Sequence, residues 1–146
     1  RVHTTLAHQL ALMVTIYSPL VMANDLPSNY EGHPAFQFVR DLDPNYDESK
    51  VLDASVGEYL VTARRTGDTW YIGATTNETG RELTASLSFL EPDVAYEAVV
   101  YRDGSDADWE TNPESYAIDT LQVDSASKLA LKLAPGGGAA VTIKRK

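Results

Sequence analysis

The sequence has no cysteine, which excludes disulfides and thiolate metal sites and leaves the redox compartment open. Positive charge is scarce: 12 Lys and Arg stand against 21 Asp and Glu, a net charge of −9. The basic residues gather no further than Arg64-Arg65 and the terminal Lys144-Arg145-Lys146. Attraction to a phosphate backbone needs a basic stripe, so a nucleic-acid partner is excluded. No apolar run reaches the roughly 20 residues that carry a helix across a bilayer, so no membrane span is expected. The chain starts at Arg1 rather than Met, and no basic-then-apolar leader follows, so it is expected to begin in mid-protein. Internal repeats, heptads and low-complexity tracts are also missing. At 146 residues, 43% of them hydrophobic, the chain is one domain with a real core, or one domain plus a piece of another.

What is present is mostly strand. Residues 50–89 contain four strand-like runs, separated by turn signals at Ser55-Val56-Gly57, Thr66-Gly67-Asp68 and residues 77–80. In the last run Leu83, Ala85, Leu87 and Phe89 alternate with Thr84, Ser86 and Ser88, the period of a strand with one wet face. These four runs read as a meander whose apolar face needs a second sheet over it. Further runs follow at 94–102, 115–123, 128–133 and 139–144, with Leu129, Leu131, Leu133, Val141 and Ile143 facing inward. About eight short strands with regularly spaced turns predict a mainly β fold, a two-sheet antiparallel β-sandwich.

Residues 1–47 read differently. The run at 4–17 is helical in character, with Leu6, Leu10, Met13 and Tyr17 on one stripe and Leu12, Val14 and Ile16 around much of the rest. Such a helix needs cover on several sides, from the sandwich, from a second copy of the chain, or from both. Pro19 stops it, and residues 20–23 are compatible with a buried strand. Pro34 then suits the first turn of another helix, with Phe36, Val39 and Leu42 at helical spacing. Helix, strand and helix are a slice of an α/β layer and cannot form one alone.

Several residues invite chemistry. Asn24 and Asp25 follow the buried run and suit an ordinary turn before Pro27. Asp103, Asp106, Asp108 and Glu110 suggest a calcium loop, but the glycine and final glutamate of an EF-hand are missing, so a solvated charged loop is expected. Trp70 lies in a strand beside Ile72 and Ala74 and reads as core, whereas Trp109 in a polar loop is the candidate for stacking on sugar. Gly136-Gly137-Gly138 lacks the Lys-Ser/Thr of a phosphate loop and reads as a turn. His3 and His8 are not spaced as zinc ligands.

The order TTLAHQLAL, SPLVMANDLPSNY, HPAFQFVRDL, then DESKVLDASVGEYLVTARR, WYIGATTNETGRELTASLSFL, YRDGSDAD and LAPGGG resembles the C-terminal end of glycoside hydrolase family 97, over essentially the whole chain. The resemblance implies that residues 1–47 are a remnant of a (β/α)₈ catalytic barrel and residues 48–146 a C-terminal β-sandwich associated with oligomerisation. It implies a periplasmic or secreted bacterial parent with α-glucosidase or α-galactosidase activity that depends on calcium. None of the family's catalytic or calcium-binding carboxylates matches a position in this chain, so no catalytic residue and no cofactor is assigned to it. The expected function is a non-catalytic domain that packs on the parent barrel and supports homo-oligomers, meeting carbohydrate only through the parent. The alternative is a carbohydrate-binding module, for which Trp109 is the candidate residue; Asn24 and Asp25, after the last barrel strand that the resemblance implies, are the candidates for the rim of the parent's sugar pocket.

Overall fold

The computed structural model describes residues 3–16, 28 and 31–146. Its strands are β1 (Glu48–Ser55), β2 (Tyr59–Thr66), β3 (Thr69–Thr76), β4 (Arg81–Ser86), β5 (Tyr96–Asp103), β6 (Tyr116–Val123), β7 (Lys128–Leu133) and β8 (Gly138–Arg145). Ahead of them lie helix α1 (Leu6–Thr15) and a 3₁₀ turn (Pro34–Phe36) that runs into helix α2 (Gln37–Asp41). Six strands form one antiparallel sheet in the order β1-β2-β3-β8-β5-β6, and β4 with β7 forms a separate two-stranded ribbon. This is the two-sheet antiparallel sandwich that the alternation predicts.

The ribbon covers the inner face of the large sheet. Leu129, Leu131 and Leu133 from β7 join Trp70, Ile72, Val100, Val141 and Ile143 in one core, which also holds Leu87 and Tyr96. Each large side chain buried there contributes about 1.5–3 kcal/mol relative to exposure. Trp70 is core, as its neighbours in the strand require. The opening runs do not form one four-stranded meander. β1, β2 and β3 do, but β4 crosses to the other sheet and pairs with β7. The place beside β3 is taken by β8, whose Ala139, Ala140, Val141 and Ile143 are fully buried on both faces. A strand apolar on both sides belongs at the centre, and β4, with its wet face of Glu82, Thr84 and Ser86, belongs outside.

Helix α1 lies on the outer face. Ala7, Leu10, Ala11 and Val14 are the buried positions, the i, i+3, i+4, i+7 stripe of one helix face. The burial stripe is thus turned from the expected Leu6, Leu10, Met13 and Tyr17. Leu6 and Met13 flank it, partly buried against the same cluster, and Tyr17 lies outside the described residues. Glycine sets the rotation: a Cβ on Gly73 would stand 2.7 Å from Ala11 O and 2.9 Å from the Val14 Cβ. Only the small-residue face can come this close to the strand. Phe38 of α2 fills the space beside it, edge-on to Tyr71 and Tyr101 at 6.5 and 5.5 Å. The sandwich itself therefore covers one face of the helix, while Leu12 is half-buried and Ile16, just past its end, is exposed. Among the described residues no helix is long and apolar enough to cross a membrane.

Candidate functional site

The most concentrated polar chemistry sits where the start of α1 meets the glycine turn before β8. Thr5 caps the helix by accepting from His8 N, and its hydroxyl donates to Asp103 Oδ1 at 2.6 Å. Asp103 Oδ2 accepts from Ala134 N and Gly138 N, both at 2.9 Å. His8 Nδ1 lies 2.9 Å from Gly137 O; a carbonyl can only accept, so Nδ1 carries the proton. Two backbone bonds close the junction, from Thr5 N to Gly136 O and from Leu6 N to Pro113 O. A Cβ on Gly137 would fall 1.9 Å from Asp103 Oδ2, so the turn admits only glycine there.

Asp103 is only 3% exposed. Burial pushes its carboxyl up, against the pull of Thr5, Ala134, Gly138 and nearby His8. Burial likewise holds the His8 imidazole below its ordinary value, opposed by its bond to Gly137 and the charge of Asp103. With both oxygens engaged, this carboxylate is a clamp rather than a nucleophile or a proton shuttle.

The far end of α1 is held by arginine. Arg64 donates through Nε to Val14 O and through Nη2 to Thr15 O at 3.2 Å, and Nη1 reaches Ser49 Oγ at 2.8 Å. A guanidinium on the last carbonyls of a helix meets both their unpaired oxygens and the helix dipole. Tyr46 lies under Arg64 and donates to Met13 O at 3.1 Å; burial pushes its phenol up to about 12.

Of the residues singled out from sequence, Asn24 and Asp25 lie outside the described residues. Trp109 is partly buried, with its ring stacked on His3 at 4.9 Å and its Cβ against the Gly136 turn. The acidic loop divides. Asp106 accepts from Ser115 Oγ and Asn112 Nδ2, and Asp108 from the amides of Thr111 and Glu110, which hold both carboxyls below the usual range. These two are the expected solvated turn residues. Asp103 is not; it ends β5 on the same side as Tyr101, the side that α1 covers. That parity was the available signal for its role, and Thr5 and His8 carried none.

Among the described residues no group of three His, Cys, Asp or Glu side chains is placed to hold a metal ion together. An open groove of about 520 Å³ runs beside the junction, between Gly80, Arg81, Arg102, Gly104, Lys132 and Leu133. Its lining has no aromatic ring, and Arg81 and Arg102 are already held by Thr76 and Asp119.

Residues 45–144 match the family described as glycosyl-hydrolase 97 C-terminal, oligomerisation. The chain belongs to this family. It is 41% identical, over 141 residues, to a retaining alpha-galactosidase of Bacteroides thetaiotaomicron; the match takes in 96% of this chain and 21% of that protein. A glycoside hydrolase family 97 enzyme from Pseudoalteromonas sp. strain K8, solved with acarbose, superposes with a TM-score of 0.96 at 44% identity, over 100% of this chain and 23% of the other. A beta-arabinopyranosidase structure follows the same fold with a TM-score of 0.76 at 27% identity, over 95% of this chain and 21% of its own. The chain thus spans between a fifth and a quarter of the length of these relatives.

Proposed function

We propose that this chain is the non-catalytic C-terminal region of a longer hydrolase acting on α-galactosides or α-glucosides, and that it packs on the catalytic barrel and supports assembly of several copies. The observation that carries the reading is the docking of α1. The helix precedes the matched residues 45–144, yet Thr5, His8 and the glycine turn bond it to the sandwich at one end and Arg64 at the other. If residues 1–47 end the barrel, this clamp joins barrel to sandwich. Glycoside hydrolysis takes two carboxyl groups flanking the bond. Asp103 is committed to the clamp, and Asp106 and Asp108 to their own loop.

In this reading the catalytic acids and the calcium ligands belong to the parent's barrel, and the parent works in the periplasm or outside the cell. The test compares the chain with its full-length parent on p-nitrophenyl α-galactoside and α-glucoside, with calcium present. Hydrolysis by the parent and none by the chain above a heat-killed control supports the proposal. Turnover by the chain itself overturns it. A second reading, a carbohydrate-binding module, rests on the partly exposed Trp109 and the open groove.

A further inference from the structure

The six-stranded sheet ends in two edges, β1 and β6, and the two are built differently. The register of β1 breaks at a bulge between Val51 and Asp53, and the strand carries Glu48, Lys50 and Asp53. Bulges and charges are the devices that keep an edge from recruiting another strand. β6 has no bulge and a single charged residue. All eight of its residues pair with β5 in unbroken register, and its sequence, Tyr-Ala-Ile-Asp-Thr-Leu-Gln-Val, contains no proline, glycine or lysine. Its one charge, Asp119, is already met by Arg102 Nε at 2.5 Å. Ile118 and Leu121 are 38% and 43% exposed, one on each face of the strand. Among the described residues β6 has a ladder neighbour on one side only.

We propose that a second copy of this chain adds to the free edge of β6, antiparallel and about a two-fold axis, so that the two large sheets become one. This rests on the reading that the region supports assembly of several copies, and the family match, whose description names oligomerisation, spans β6. Backbone pairing of an edge strand with a strand of another molecule is an established mode of recognition, and a two-fold makes such a contact self-complementary. The symmetry also limits the register. An axis perpendicular to the sheet keeps the faces aligned, so facing residues must share parity along the strand. Centring on Asp119 sets two carboxylates opposite each other. Centring on Thr120 avoids this: Thr120 meets Thr120 of the second copy, Ile118 meets Gln122, and Leu121 meets Asp119. Residues 117–123 then overlap in full, and the two exposed apolar side chains are covered.

Charge and covalent capture test both the surface and the register. Leu121→Glu places a carboxylate opposite Asp119 of the second copy, whereas Leu121→Lys places an ammonium there. Sedimentation velocity of the intact chain is expected to show a dimer whose dissociation constant rises about tenfold or more with Leu121→Glu, the scale of like charges juxtaposed across an interface. Leu121→Lys and the β1 control Val51→Glu are expected to leave it dimeric. The natural chain has no cysteine, so Thr120→Cys supplies a single thiol, and mild oxidation should give a covalent dimer that Val51→Cys does not. This cross-link also serves if a Leu121 variant fails to fold. A dimer that is indifferent to both Leu121 variants and does not cross-link at Thr120 overturns the β6 assignment and leaves the assembly reading standing. A monomer at every concentration overturns both. Equal weakening by Glu and Lys, without the cross-link, overturns the register and with it the proposal.

Discussion

Thr5 Oγ1 and Asp103 Oδ1 are joined by a 2.6 Å hydrogen bond although 98 positions separate them in the chain. The bond links the cap of α1 to the end of β5, and the same carboxylate fastens the turn into β8. Removing that carboxylate is therefore expected to loosen three segments together. Asp103→Ala leaves two backbone amides and a hydroxyl without their acceptor, at a cost of about 3 kcal/mol. Asp103→Asn can keep the geometry, its oxygen accepting from Ala134 N and Gly138 N and its amide donating to Thr5 Oγ1. Urea denaturation should show a large loss for the alanine variant and a small one for the asparagine variant; equal losses would refute the clamp.

The pH dependence follows from the same group. Burial raises the Asp103 pKa in the folded state, so the folded protein holds this proton more tightly than the unfolded chain. Its contribution to stability is complete below the unfolded carboxyl value, about 3.9, and is lost as pH rises through the folded value. Asp103→Asn has no such loss. The stability of the natural chain minus that of Asp103→Asn should fall as pH rises from about 4 toward neutrality. A flat difference would show that the carboxyl titrates as it does unfolded.

Gly73 tests how α1 is seated. Gly73→Ala drives a Cβ into Ala11 O and Val14, and overpacking of this kind costs about 1–3 kcal/mol. The damage should be local. Hydrogen exchange is expected to quicken at residues 10–14 while the β3 and β8 amides stay protected. Unchanged protection in α1 would mean that the helix backbone does not rest on this strand.

Arg64→Ala removes the donors to Val14 O and Thr15 O, and Arg64→Lys keeps the charge but not the planar fork. Thermal unfolding should reveal a loss of about 2 kcal/mol for alanine and only partial recovery with lysine. Full recovery by lysine would reduce the role of Arg64 to its charge.

Trp109 decides between the two readings of the sandwich. Its ring already stacks on His3, so titration calorimetry with maltooligosaccharides is expected to give no saturable heat at millimolar sugar. Heat that saturates, and disappears in Trp109→Ala, would establish the binding-module reading in place of the assembly role.

Local rules accounted for the strands. Leu129, Leu131 and Leu133 alternate with Lys128, Ala130 and Lys132, and the run became β7 with those leucines inward. Gly57 and Gly67 take positive φ at the turns their neighbours announce. The sandwich and the inward Trp70 follow from such patterns, because side chains on a strand alternate whatever lies opposite. Which element lies opposite is a different matter. Alternation marked one face of β4 as apolar without naming β7 as its neighbour, and the composition of α1 offered several faces for burial. The choice fell to the face of Ala7 and Ala11, where the helix backbone comes close to Gly138 at His8 and to Gly73 at Ala11, and glycine announces room without saying what will use it. Asp103 is the sharpest case. Beside Asp106 and Asp108 in the chain it looks like one more solvated acid, yet it is buried because its donors arrive from residues 5, 134 and 138. A carboxylate's surroundings depend on distant backbone, and distant backbone comes together only in the folded chain.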